Sequence, residues 1–173
     1  VATDTVIVHF DARADDAAFA IVTAAMRQRH NVIFSPRQAC YWADFSLVEA
    51  TEQALRLLED SGRRWSHVTL LSGVDYPIKP THHLRAFLEK NSDTDFIETF
   101  DLALEPFFIT GMRGERTEYR WPSFVLQRGP YATKIWSMLQ YFLDRRRLPP
   151  PGLQLVAGSQ WWTLTPSATR LIL

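Results

Sequence analysis

An α/β fold, with a parallel sheet covered by helices on both faces, is what the sequence predicts. Three observations carry this. Short β-branched runs alternate with amphipathic helical segments through about the first hundred residues. A chain of 173 residues, 46% hydrophobic and 22% charged, has the size and composition of one globular core and excludes disorder. Acidic side chains, Asp11, Asp75 and Glu98, fall at the predicted carboxyl ends of three strands, where open α/β sheets bind ligands.

The elements follow in order. Thr5 to Phe10 is a β-branched run of strand length, with Asp11 after it. Asp15 or Asp16 suits a helix N-cap, and Phe19, Val22 and Met26 give the helix one apolar stripe. Asn31 to Phe34 is a second strand, ended by Ser35-Pro36. Ser46 and Glu49 have the spacing of a capping box. The helix it opens turns Leu47, Ala50, Ala54, Leu55 and Leu58 inward and stops before Gly62. His67 to Ser72 is a third strand, running into the turn Gly73 to Pro77. A third helix covers Thr81 to Lys90 on a stripe of Leu84, Phe87 and Leu88, and Asp95 to Glu98 is a fourth strand. Ala103 to Gly129 reads as loop and short strand. Tyr131 to Asp144 reads as a helix with Ile135, Met138, Leu139 and Phe142 on one side. After the rigid break Pro149 to Gly152, Gly158 to Thr165 is a further strand, and Pro166 opens a last helix.

Charge and motifs exclude several functions. Nineteen basic and nineteen acidic residues leave no net charge, so no global field gathers a polyanion, which argues against a nucleic-acid partner. The single cysteine, Cys40, excludes an internal disulfide and a cysteine-based metal cluster. No apolar run reaches the ~18 residues of a membrane span. Walker, dinucleotide, nucleophile-elbow and zinc-helix motifs are all absent from the sequence. His82 and His83 are neighbours on a helix and are expected to diverge rather than share a metal. Asp93-Thr94-Asp95 has the Asp-x-Asp form of a metal clamp, but it precedes a strand and reads as a helix-to-strand loop.

Two segments have the chemistry of a nucleotide site. A carboxylate just past a first strand, as in His9-Phe10-Asp11, can accept hydrogen bonds from a base or ribose; it can equally cap the next turn. In Ser72 to Pro77, Gly73 permits close approach of a ligand and Pro77 stiffens the turn that aims Asp75; a plain turn remains open. Six tryptophans, eleven phenylalanines and five tyrosines exceed what the core needs. Trp161 and Trp162 fall on opposite faces of a strand, so one can be core while the other faces a cleft. Taken singly, Trp42, Trp121, Trp161 and Trp162 each suit core packing.

In order along the chain, six segments resemble the core-2/I-branching β-1,6-N-acetylglucosaminyltransferase family, which includes the peptide O-xylosyltransferases. They are Val8-His9-Phe10-Asp11, Asn31 to Ser35, Trp42 to Val48, Trp65 to Val68 with Leu71 to Lys79, Phe96 to Thr99, and Gly158 to Leu164. The resemblance implies a GT-A-like, Rossmann-related nucleotide-sugar-binding sheet. Residues 1–173 then form one glycosyltransferase domain, with 1–100 its nucleotide-sugar-binding half and 101–173 the start of its acceptor-binding half. It also implies inverting transfer of N-acetylglucosamine or xylose from a UDP-sugar to a glycan or protein hydroxyl. No cofactor or metal is implied, since basic side chains near the carboxyl end neutralise the diphosphate.

Carried over by position, the resemblance puts Val8, His9, Asp11, Ser72, Asp75 and Tyr76 at the donor. It puts Glu98, Arg116, Arg120, Trp161 and Trp162 at the acceptor, with Arg113 a further loose candidate because residues 106–120 align poorly. The family's base is a glutamate that follows the segment matching Gly158 to Leu173, so it is expected beyond Leu173. The implied partners are a UDP-sugar and a glycan or glycoprotein acceptor. A lone cysteine and no visible anchor favour a cytoplasmic, bacterial setting; a Golgi membrane enzyme is the alternative if an anchor precedes this segment. Two rival readings remain open: a catalytically inactive nucleotide- or glycan-binding module of the same fold, and an unrelated regulatory nucleotide-binding domain.

Overall fold

In the computed structural model, residues 4–42, 44–101, 120–143, 151–154 and 156–173 are described. The chain divides into two compact units, Val1–Arg63 with Leu173, and Arg64–Ile172.

The first unit is built on a parallel pair of strands, β1 (Val6–Val8) and β2 (Val32–Phe34), with Val6 opposite Val32 and Val8 opposite Phe34. Parallel strands need a crossover, and helix α1 (Asp16–Met26) supplies it. Asp15, one of the two cap candidates in the sequence, caps α1, its side chain accepting from the Ala17 N–H. Phe19 anchors α1, with its ring 5.2 Å from Phe10 and 6.0 Å from Phe34. Helix α2 (Ser46–Asp60) packs on β1. Its buried residues are Ser46, Ala50, Leu55 and Leu58; the two leucines, 4% and 5% exposed, each contribute roughly 1.5–3 kcal/mol of apolar burial.

The capping box expected at the start of α2 is replaced by another device. Phe45 occupies the cap position and makes no side-chain bond, while the Asp44 carboxylate accepts from the Ser46 N–H at 2.8 Å. The Ser46 hydroxyl accepts from the Tyr41 N–H instead, and Glu49 accepts from the Gln38 amide at 2.8 Å. Both side chains are thereby spent on the preceding loop rather than on each other. Leu47, expected inward, is exposed in the first turn of α2.

The second unit corrects the all-parallel sheet. Strand β3 (Val68–Thr69) and strand β4 (Phe96–Asp101) lie either side of β5 (Val156–Leu164), both antiparallel to it. β3 and β4 therefore run in the same direction, as their connection through helix α3 (Thr81–Lys90) requires. The alternation of strand and helix specifies that crossover but says nothing of a later strand filling the gap it leaves. Glu98 falls inside β4 rather than at its end. Phe87 of α3 packs on Phe96 at 5.2 Å between ring centroids, although α3 as a whole is exposed.

Helix α4 (Ser123–Leu126) occupies part of the segment expected as loop and short strand; residues 102–119 lie outside the described ones. Helix α5 (Pro130–Phe142) forms where expected, but its stripe of Ile135, Met138, Leu139 and Phe142 is exposed and its buried residue is Gln140. The packed side of α5 is set by short polar and aromatic contacts to residues 120–124, which the 3.6-residue pattern does not register. Helix α6 (Pro166–Ile172) starts on its proline, and Thr169 is its fully buried residue. Among the described residues, no helix is long and apolar enough to cross a membrane.

Candidate functional site

Each unit holds candidate residues. In the first, the loops beyond the carboxyl ends of β1 and β2 are laced together. The Ser35 N–H donates to the Val8 carbonyl at 3.0 Å, and the Ala12 N–H donates to the Gln38 carbonyl at 3.0 Å. His9 accepts the Gln38 N–H on Nε2 at 3.3 Å. Val8 and His9 thus serve the lacing, and both are half-buried.

Asp11 is the carboxylate this lacing presents. Its Oδ1 accepts the Arg13 N–H at 2.8 Å and the Cys40 N–H at 3.4 Å. Desolvation is the largest single influence on its pKa and pushes it upward. The two backbone donors, then the charge of Arg13 and lastly that of His9, together outweigh that, so the carboxyl sits below its ordinary value. It is therefore an acceptor-only anion at neutral pH, with Oδ2 unpartnered among the described residues. The turn-capping reading of Asp11 is thus observed, through Oδ1.

Arg37 was not singled out by the sequence. Its Nη2 lies 3.1, 3.3 and 2.7 Å from the carbonyls of Asp11, Ala12 and Ala14, and its Nη1 pairs with Asp16 at 2.5 Å. The guanidinium sits 4.7 Å from the Phe19 ring centroid and 5.6 Å from that of Phe10. The one signal in the sequence is its place three residues past β2, on the same side of the sheet as Asp11. Cys40, also in this loop, is buried; desolvation first, then the nearby Asp11 charge, raises its thiol above the usual value.

In the second unit, the turn after β3 folds on Asp75. Its Oδ2 accepts the Ser72 N–H at 2.6 Å, while its own N–H donates to the Ser72 carbonyl at 3.2 Å. The Ser72 hydroxyl accepts from the Val74 N–H. Ser72 and Asp75 therefore hold one another, and Tyr76 beside them is 87% exposed. A Cβ at Gly73 would meet nothing within 4 Å, so this turn leaves open space beside it.

An open cavity of about 410 Å³ lies over this sheet, lined by Thr69, Leu70, Leu71, Asp75, Phe96, Trp161, Trp162 and Thr163. Its volume is within the usual range for small-molecule sites. Trp161 and Trp162 were expected on opposite faces, yet both line it. The reason is an irregularity in β5. Ile97 pairs with Trp162 and Thr99 with Gly158, so one residue of β4, Glu98, faces three of β5. The extra residues form a bulge from Ser159 to Trp161, pinned by the Trp161 N–H donating to the Ser159 hydroxyl at 3.1 Å. A bulge breaks the two-residue alternation and re-aims the side chain that follows it. The hydroxyls of Thr69 on β3 and Thr163 on β5 meet at 2.9 Å, giving the cavity polar groups among its aromatic walls.

Other expected residues fall elsewhere. Glu98 is exposed on β4 and does not line the cavity. Arg120 is exposed, with its backbone held by Gln140 and Trp136. Arg113 and Arg116 lie outside the described residues. Trp42, read as core, is 85% exposed because it sits in the loop before α2. Asp93 and Asp95 do occupy the loop before β4, and Asp95 accepts the Thr165 N–H at 2.7 Å, where α6 begins. His82 and His83, expected to diverge, bring their ring centroids to 4.5 Å, since the two side chains lean together at the exposed start of α3. Among the described residues, no group of three metal-ligating side chains converges.

Comparison with known proteins bears on the whole chain. It is 28% identical to xylosyltransferase 2 of Bos taurus over 167 residues, covering 95% of this chain and 17% of that protein. Identity to human xylosyltransferase 2 is the same over the same length. Human xylosyltransferase 1 is 36% identical over 80 residues, 45% of this chain and 8% of that protein. The chain thus spans about a sixth of the length of the xylosyltransferases it matches. The profile of the Core-2/I-Branching enzymes matches residues 3–173, a span that takes in the Asp11 loop, the Asp75 turn and the bulged strand with its tryptophans. With both units inside that span, the chain belongs to the Core-2/I-Branching enzyme family.

Proposed function

We propose that this chain is part of a glycosyltransferase that moves a sugar from a UDP-sugar to a hydroxyl of a glycan or protein, with inversion at the anomeric carbon. The observation that carries this is the Asp11 carboxylate, held ionised past the end of β1 by two backbone N–H groups with its second oxygen unpartnered among the described residues. An anion so held accepts hydrogen bonds from ribose hydroxyls or a base N–H. Val8 and His9 support it. Ser72, Asp75 and Tyr76 are the donor residues proposed for the second unit. The names of the matched relatives favour xylose over N-acetylglucosamine as the sugar.

The cavity over β5 is the place proposed for a sugar ring. Indole faces of Trp161 and Trp162 take the apolar face of a pyranose, and Thr69, Thr163 and Asp75 meet its hydroxyls. Glu98, Arg116 and Arg120 are the proposed polar contacts to the acceptor. No carboxylate of the chain is assigned the part of general base, which an inverting transfer needs within hydrogen-bond reach of the attacking hydroxyl. Transfer is proposed to need no metal ion, the diphosphate being met by basic side chains.

The test is a transfer assay on the complete protein, offered UDP-xylose and UDP-N-acetylglucosamine in turn with serine peptides and glycans, with and without EDTA. Release of UDP with appearance of a glycosylated product, undiminished by EDTA, is the expected outcome. Absence of turnover with every donor, despite UDP binding, supports an inactive binding module instead.

A further inference from the structure

Arg37 does something that a merely structural arginine does not need to do. Its Nη2 is within hydrogen-bond distance of the carbonyls of Asp11, Ala12 and Ala14, three residues of the loop that joins β1 to α1. Its Nη1 is tied to Asp16 at the start of α1, and the flat face of the guanidinium rests on Phe19 and Phe10. The loop is thus gathered onto one rigid fork whose other contacts are Phe10, just past β1, and Asp16 and Phe19 of α1. The same loop is laced to residues 38 and 40, its Ala12 N–H donating to the Gln38 carbonyl and its Asp11 carboxylate accepting from the Cys40 N–H.

From this geometry we infer that Arg37 is a positioning residue for the nucleotide: it fixes the loop backbone and so sets where the Asp11 carboxylate stands, without touching the ligand itself. The inference rests on the nucleotide reading of Asp11 given above. Lysine cannot replace the fork. An ammonium is a compact point charge, unable to face a carboxylate on one nitrogen and a fan of carbonyls on another while stacking on two rings. Released carbonyls leave the loop free to shift, and a misplaced carboxylate loses hydrogen bonds to its ligand while the rest of the site is untouched.

A double-mutant cycle in the complete protein separates this from a stability effect. Binding of UDP is measured by calorimetry for wild type, Arg37→Lys, Asp11→Ala and the double variant, with folding checked by circular dichroism. Arg37→Lys is expected to weaken UDP roughly tenfold beside an intact Asp11 and to add less than about twofold once Asp11 is gone, since coupled residues are not additive. In turnover, the donor KM rises with little change in kcat. Equal losses in both backgrounds overturn the inference, because Arg37 then acts elsewhere. A loss with Asp11→Ala but none with Arg37→Lys also overturns it and leaves the nucleotide reading standing. If neither variant weakens UDP, the nucleotide reading itself fails and takes this inference with it. Should Arg37→Lys not fold, Asp16→Asn loosens the same guanidinium from an exposed position; it is expected to weaken UDP in the same direction, and an unchanged affinity overturns the inference.

Discussion

Gly158 of β5 lies against Glu98 of β4 with no room for a side chain between them: a Cβ added at Gly158 would overlap the Glu98 carbonyl oxygen. The clash is with backbone, which cannot swing aside as a side chain can. This close approach sits at the register shift that produces the bulge and brings Trp161 beside Trp162 on the cavity. Gly158→Ala is therefore expected to destabilise the protein by about 2 kcal/mol, read as a lower urea midpoint with an unchanged slope. A midpoint equal to wild type would show that the strands do not meet so closely.

Asp11 has an acid signature with a definite sign. Its folded pKa is depressed, so it contributes stability that is present above its ordinary value of 3.8 and lost as pH falls through the lower folded value. Asp11→Asn lacks that contribution. The gap in urea midpoint between wild type and Asp11→Asn is expected at pH 5.5 and should shrink towards pH 3. A gap that is constant with pH would mean that the carboxylate gains nothing from the Arg13 and Cys40 N–H groups.

Cys40 should behave as an inert thiol. Burial raises its pKa, so little thiolate is present at neutral pH and access is poor. A thiol-specific reagent at pH 7.5 is expected to label the native protein far more slowly than the urea-unfolded one. Labelling at equal rates would contradict the packing of the loop that Arg37 and Asp11 share.

Asp95 is expected to matter for the start of α6 and not for a metal. It accepts the Thr165 N–H at 2.7 Å, one residue before Pro166 opens the helix. Asp95→Ala should cost about 1 kcal/mol in urea denaturation, the usual scale for a lost capping bond. The cost should be the same with and without EDTA; a loss of stability that appears only when divalent ions are present would return the Asp-x-Asp segment to the metal reading.

Much of this was legible before any coordinates, and the misses have physical causes. The span of α3, Thr81–Lys90, and the start of α6 at Pro166, where a proline in the first turn is a strong local signal, are observed as read. Asp15 was legible as a cap because capping is local. The direction and place of β5 were not, since strand order depends on pairing across the 54 residues of chain, 102–155, between β4 and β5. The tryptophan pair was legible as site chemistry but not in its geometry, because a bulge obeys pairing with β4 rather than its own strand's alternation. Arg37 escaped for a related reason. Its partners are carbonyls, and a sequence carries no mark for a carbonyl that will need a donor.

The measurement that bears most directly on the whole account is calorimetric titration of UDP into the complete protein and its Asp11→Ala variant at neutral pH. Wild type is expected to bind UDP, and Asp11→Ala to bind it at least about tenfold more weakly, the scale of one lost charged hydrogen bond. Equal affinity in the two proteins would contradict the assignment of the β1 loop to the nucleotide.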